Sequence, residues 1–441
     1  MKTFFILLVG FMAITAQFAN GQNTTDTVKL GSLNEVITSA IKNNPTQAIY
    51  QQQIKQAEYN FKASKGYIYP NASGSFNGTD NIHLGVTPVP GELIGRPGTT
   101  FYAQFGKQYN YSTGITLNQD ILDWTSVFQA KISENNIKLN QLQQDSYIQN
   151  LKEQVARVYF SALVAKAALK INGDDMVLAD SLAALSAQKL REGTTDIISV
   201  NQSKINTYSI QQNQAQSQQL YDQGIENLKI LLGTIPSSEL KLSEAINLDS
   251  LNEMQIGKMG DDKNLDVYKQ QVTIADVQSR SQRSAAYPKL SASAYLGAQQ
   301  FRSDFGLAFS NTAWTPYRYI GLNLNVPIFT GFANSNKYKS ALLQKNIAGI
   351  QYDNARQQSE INDRLLFKNH ADYLKMVGSA ESSFKLYGKN LRLNQQKYQE
   401  GIISMDAYLK AFQDYLAAEN QYLNNLSQLL STRSTILSRI N

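Results

Sequence analysis

Lys397 to Ala411 reads KYQEGIISMDAYLKA, and the reading of this stretch decides the fold. Gly401 stands between two segments of helical pattern. Upstream, little breaks the helix from about residue 334 to 400. Downstream, Leu409, Leu416, Leu423 and Leu430 recur every seven residues, the period of a helix seam packed in a left-handed coil. A glycine at the junction turns the chain at little conformational cost. The spacing therefore predicts the tip of a long helical hairpin. Lys189 to Ser203, KLREGTTDIISVNQS, repeats that tip nearly half a chain earlier, with Gly193 in the place of Gly401.

The approach to each tip repeats as well. Tyr69-Pro70 is answered by Tyr287-Pro288, and Tyr50, Gln52 and Ala57 by Tyr268, Gln270 and Ala275. After each Tyr-Pro step the rhythm changes to period two, the signature of a strand with unlike faces. Tyr109, Tyr111, Thr113, Ile115 and Leu117 alternate with Asn110, Ser112, Gly114, Thr116 and Asn118. Ile320, Leu322, Leu324 and Val326 alternate with Gly321, Asn323 and Asn325. Two strands are expected at about 69–119, around a Pro- and Gly-rich insert at 85–98. Two more are expected at about 288–328, namely 289–302 and 315–328. Long helices are expected over 125–192, roughly 100 Å in length, and over 334–400. Shorter ones are expected over 194–232 and 264–286, and Asn172-Gly173-Asp174 is expected to loosen the first long helix. The domain reading is a first repeat at 22–232, a polar equatorial segment at 233–263 and a second repeat at 264–441.

Composition narrows the class. Of 441 residues, 42% are hydrophobic and only 17% are charged; Gln, Asn, Ser and Thr supply the remaining polarity. Such a surface suits walls around water. The net charge is +6 without a basic run, which argues against a nucleic-acid partner. The absence of cysteine excludes a disulfide framework, a thiolate metal site and a cysteine lipid anchor. No GxSxG, HExxH, P-loop or dinucleotide fingerprint occurs. His83 and His370 are the only histidines, so no metal, cofactor or catalytic residue is expected, and the chain reads as no enzyme.

Residues 1–21 read as an export signal: Lys2, then FFILLVGFMAI, then Ala19-Asn20-Gly21. No later segment has 18 consecutive apolar residues, so any membrane span must be a β-barrel. Four strands cannot close one. Open edges have no partner in lipid, and bacterial barrels begin at about eight strands. Several chains must therefore share a cylinder. Phe101, Tyr102, Trp124, Trp314 and Tyr317, with Phe105 and Tyr319, lie near strand ends and suit the aromatic belts of a membrane interface.

The chain resembles the TolC-like outer-membrane efflux proteins over nearly all of its exported length. The resemblance is carried by LNEVITSAIKNNP at 33–45, the two Tyr-Pro steps, GLNLNVPIFTGF at 321–332 and the two tips, in this order. It implies a mainly α chain forming a homotrimer, with four strands per subunit in a twelve-stranded barrel in outer-membrane lipid. A long coiled-coil tube would continue the barrel into the periplasm. The tips, at Gly193, Thr194, Gly401 and Ile402, would dock a periplasmic adaptor (a membrane fusion protein) of an inner-membrane pump of RND or ABC type. Glu192, Asp196, Glu400 and Asp406 would line the periplasmic mouth. The acids that many relatives carry further along the second tip are replaced here by Ala407 and Lys410, and their counterparts at the first tip by Ser199 and Gln202. The sequence is compatible with two functions: a passive exit duct for efflux or type I secretion, and an exported coiled-coil scaffold or adhesin.

Overall fold

The structure, a computed structural model, describes residues 27–233, 239–244, 246, 259–310 and 313–440. The expected signal at 1–21 and most of the equatorial segment lie outside the described residues. The chain runs β1 (Thr27–Leu30), α1 (Leu33–Asn43), α2 (Pro45–Ser64), β2 (Asn71–Asp80), β3 (Val86–Pro90), β4 (Thr100–Gln104), β5 (Tyr109–Leu122), α3 (Trp124–Arg191) and α4 (Ile197–Leu232). It continues with β6 (Glu239–Leu242), α5 (Lys263–Ser284), β7 (Lys289–Arg302), β8 (Thr315–Asn325), α6 (Ala333–Gln399) and α7 (Met405–Ser438).

Each boundary has a local cause. Asn44 caps α2 by accepting the Thr46 amide at 2.9 Å, and Pro45 opens the helix where no amide partner is needed. Asp123 starts α3: its carboxylate accepts the Thr125 amide at 2.9 Å and the Ser126 hydroxyl at 3.0 Å. Asp262 caps α5 through the Asn264 amide at 3.0 Å. β8 stops at Asn325, short of the expected residue 328, because Pro327 has no amide to give to a ladder. The expected loosening at Asn172-Gly173-Asp174 is absent. α3 passes through unbroken, and the Asn172 amide is held by the Ser217 hydroxyl at 3.0 Å. The insert at 85–98 is not a plain loop either: β3 pairs with β4 across it as a hairpin.

The chain divides into two compact units, and both sequence repeats contribute to each. One unit comprises Asn44–Gln154, Asn252–Leu386 and Asn424–Asn441. It holds a four-stranded antiparallel sheet in the order β2-β5-β7-β8. The helices that feed these strands repeat the order. α2 meets α3 through Gln144 to Gln47 at 3.1 Å and Tyr147 to Asn44 at 2.9 Å. α3 meets α5 through a core of Ile132, Ile274 and Val277. α5 meets α6 through the Lys345–Asp276 ion pair at 2.8 Å and the Ser359 hydroxyl on Asp262 at 3.2 Å. Every strand thus runs into its own helix, side by side in one sequence of staves.

The other unit comprises Met1–Asn43, Val155–Leu251 and Tyr387–Leu423. Within it, β1 and β6 pair in parallel, Val28 opposite Leu240. That pairing joins the start of the described chain to the equatorial segment, and sequence periodicity gave no sign of it. The unit also holds both hairpin tips over a core of Ala179, Leu182, Ile210, Leu391, Tyr408, Leu409 and Phe412.

Candidate functional site

The sheet has two unlike faces, and its register sorts them. Directly opposed residues share a face. Ser73 opposes Thr116, which opposes Tyr295, which opposes Tyr319. Along the same face run Asn71, Ser75 and Asn77 on β2, and Ser112, Gly114 and Asn118 on β5. Ser291, Ser293, Gly321 and Asn323 extend it across β7 and β8. These positions are polar, small or phenolic and carry no charge. The opposite face takes Phe76, Ile115, Leu117 and Leu296, then Ile320, Leu322 and Leu324, with Arg318 near the start of β8. The apolar side chains find no cover within the chain: Ile320 is 88% exposed, Leu322 73% and Leu324 62%. A soluble sheet buries such a face. This one leaves it uncovered and puts its hydroxyls and amides on the other face, the two-sided alternation that membrane barrels use. Among the described residues the edge strands β2 and β8 each have one partner.

The two tips match atom for atom. Gly193 has φ 67° and Gly401 φ 74°, both left-handed. The Gly193 amide donates to the Leu190 carbonyl at 3.1 Å and the Thr194 amide to the Lys189 carbonyl at 2.9 Å. The Gly401 amide donates to Tyr398 at 3.1 Å and the Ile402 amide to Lys397 at 2.8 Å. Both are Schellman turns, which explains the matched spacing around each glycine. Each turn is followed by a cap three residues on. Asp196 accepts the Ser199 amide at 2.7 Å, and Ser404 accepts the Ala407 amide at 3.3 Å. The Ser199 bonds hold the Asp196 carboxyl below the usual range. Asp196, expected at the mouth, therefore also has work as a helix cap. Glu192 accepts from the Gln188 amide at 2.8 Å, and Glu400 and Asp406 are exposed beside the second tip. Ile198 and Ile402, 73% and 64% exposed, give the tips an apolar surface.

Behind the tips the hairpins are tied together. Lys189 of the first donates to the Tyr398 carbonyl of the second at 2.8 Å, and its ammonium lies 4.4 Å from the Tyr398 ring centroid. Tyr398 stacks on Tyr408 at 5.6 Å. Burial pushes the Tyr408 hydroxyl up to about 12. Deeper in the same unit lies a pair of acids. Asp175 on α3 is fully buried and Glu419 on α7 is 3% exposed. Tyr415 donates to Asp175 Oδ1 at 2.9 Å. The two buried carboxyls lie close enough to act on each other. Among the described residues Asp175 Oδ2 and Glu419 Oε2 have no hydrogen-bond partner. Burial raises both above the usual carboxylate range, Glu419 with further help from its neighbour.

The remaining expected residues are dispersed. Phe101 and Tyr102 are exposed on the β3–β4 hairpin, and Trp124 is exposed at the start of α3. The Trp314 indole donates to the Ala308 carbonyl at 2.8 Å. Tyr317 stands with Tyr319 on the polar face of the sheet, opposite the apolar one. Among the described residues no helix is long and apolar enough to cross a membrane, and no three His, Cys, Asp or Glu side chains gather as a metal set.

The sequence profile described as outer membrane efflux protein matches residues 36–234 and 260–440. The chain belongs to that family. It is 19% identical over 400 residues to the solvent efflux pump outer membrane protein SrpC of Pseudomonas putida, covering 89% of this chain and 82% of that one. The toluene efflux pump outer membrane protein TtgI, also of Pseudomonas putida, is similar to the same extent. Solved structures share the fold. The Campylobacter jejuni CmeC outer membrane channel superposes with a TM-score of 0.72 at 17% identity, over 92% of this chain and 85% of that one. The open state of the Neisseria gonorrhoeae MtrE channel gives 0.73 at 15%, over 95% and 92%. CusC gives 0.70 at 19%, over 96% and 95%. As a member of this family the chain is an outer-membrane efflux channel protein with a large periplasmic part, and its work is conduction rather than catalysis.

Proposed function

We propose that three copies of this chain close a twelve-stranded barrel in the outer membrane, with β8 of each pairing β2 of the next. The helices would carry the same cylinder into the periplasm. The assembly would act as the passive exit duct of a tripartite efflux or type I secretion system. The observation that carries this reading is the sorted register of the sheet. One face is apolar and uncovered, the other is polar with its only charges, Asp120 and Lys289, at one end of the strands, and both edges lack a second partner among the described residues. Backbone groups at an open edge have no partner in hydrocarbon, so the sheet must be completed by further copies.

The tips support the rest. Two identical glycine turns with exposed Ile198 and Ile402 offer a repeated apolar surface, which in a trimer would occur six times around a mouth. That surface suits the helical hairpin of a periplasmic adaptor, which would in turn hold an inner-membrane pump of RND or ABC type. Glu192, Glu400 and Asp406 would face incoming cargo there. The similarity to SrpC, a solvent efflux pump outer membrane protein, and to TtgI, a toluene efflux pump outer membrane protein, favours small organic cargo. Reconstitution in a planar bilayer tests the duct. The expected result is a stable water-filled conductance from trimers, and a chain that stays monomeric and never conducts would end the proposal. Ile402→Asp should then reduce cross-linking to the cognate adaptor without changing that conductance.

A further inference from the structure

The polar face of the sheet carries one feature that a water-filled wall does not need. Tyr295, Tyr317 and Tyr319 cluster there, their ring centroids 5.7 to 5.8 Å apart. Tyr295 and Tyr319 are directly opposed across β7 and β8 and lie within 16° of parallel. The cluster is set on a trough of two glycines. Gly114 and Gly297 face one another across β5 and β7. A Cβ at Gly114 would fall 2.6 Å from the Tyr295 ring and hydroxyl, and one at Gly297 would fall 2.6 Å from the same hydroxyl. The Tyr295 ring therefore lies down over the space that those two side chains would fill. Glycine weakens a strand, and here the loss is matched by a ring laid flat on the sheet.

Tyr317 and Tyr319 stand beside it and are exposed, 46% and 44%. The Tyr295, Tyr317 and Tyr319 hydroxyls sit among neutral neighbours, since Thr116, Ser293, Gly321 and Gln299 surround them in register. Lysine, arginine, aspartate and glutamate are all missing from these positions. A solute passing this point meets π faces and phenols but no counter-charge. Flat aromatic molecules gain from stacking in such a place, with or without a positive charge. Ions and saturated solutes gain little.

We propose that this tyrosine platform is a transient binding site for planar aromatic solutes within the barrel lumen. The proposal rests on the duct reading, which makes the polar face the lumen. It also gives Tyr317 a role different from an interface belt, because its register removes it from the lipid side.

The experiment is single-channel block in a planar bilayer. The probes are aminoacridine, a flat aromatic cation, and adamantylamine, a saturated cation of like charge. Wild-type channels are expected to show aminoacridine blocks with a dwell time about tenfold longer than those of a Tyr317→Ser/Tyr319→Ser double variant. Adamantylamine dwell should be equal in both. A Tyr317→Phe/Tyr319→Phe variant keeps the rings and should stay within about twofold of wild type. Equal aminoacridine dwell in wild-type and serine channels would overturn the platform while leaving the duct intact. Loss of dwell in the phenylalanine variant as well would overturn it in favour of a hydroxyl site. A wild-type chain that never conducts would defeat the duct reading, and the platform with it.

Discussion

The sheet and the hairpin tips of this chain are stabilised in opposite ways. The sheet owes its order to backbone ladders, and apolar side chains such as Ile320, Leu322 and Leu324 are left uncovered. The tip-bearing unit holds a buried apolar core of Leu391, Tyr408, Leu409 and Phe412, while Ile197, Ile198 and Ile402 stand out at the turns. The first arrangement is unstable in water and sound in lipid beside further copies. The second is sound in water. Local sequence thus records which solvent each part is meant to meet.

The sharpest way to break this contrast is to charge the apolar face. Ile320→Arg should cost about 2–4 kcal/mol per chain at mid-membrane, multiplied by every copy in the assembly. The protein should vanish from the outer-membrane fraction, and its trimer should be lost on semi-native gels. Asn323→Arg, on the polar face of the same strand, should leave assembly intact and shift conductance toward anions.

A comparable blow to the tip unit acts through packing. Phe412 is fully buried, and Phe412→Ala should cost about 3–5 kcal/mol. Hydrogen exchange should rise in α7 and in the segment of α6 after Tyr387, while the β5 and β7 amides stay protected. Equal loss of protection in the strands would show that the two regions are not separable.

A smaller effect distinguishes the regions by pH. Asp175 and Glu419 have raised carboxyl pKa values in the folded chain. The folded state therefore holds more protons than the unfolded state above the ordinary carboxylate range, and stability falls as pH rises through it. Protection of α3 and α7 near this pair should be greater at pH 5 than at pH 8. Glu419→Gln, which removes one of the two raised carboxyls, should reduce that difference. A wild-type profile that rises with pH would contradict the raised carboxyls.

The smallest effect is at the turns. Gly401→Ala places a Cβ at φ 74°, at a cost of about 1–2 kcal/mol. It should fray the tip in hydrogen exchange and leave the global melting curve nearly unmoved, whereas Gly401→Asn should be milder.

Much of this was legible in the residues. Period-two alternation located β5 and β8, and the expected span of β7 agrees with the observed one, because each strand exposes both faces to unlike surroundings. The glycine tips were legible because an αL turn leaves few substitutes. The β1–β6 pairing was not, since a four-residue strand has too short a pattern to separate from loop. The Asp175–Glu419 pair escaped for another reason: its members lie far apart in sequence, and only packing brings them together. Tyr317 read as an interface aromatic by its place near a strand end, whereas its face depends on register with Gly297. The polar run at Asn172-Gly173-Asp174 misled because a tertiary bond to Ser217 outweighs a weak helix propensity.

The central claim is that one chain supplies four staves of a shared cylinder, and edge-to-edge cross-linking tests it most directly. The chain has no cysteine of its own, so Ser73→Cys on β2 can be combined with single cysteines scanned along β8 from Tyr319 to Asn325. The account predicts that oxidation at one register in that scan yields a covalently closed trimer in the outer membrane. Cross-links that join β2 and β8 only within a single chain, at monomer mass, would contradict it.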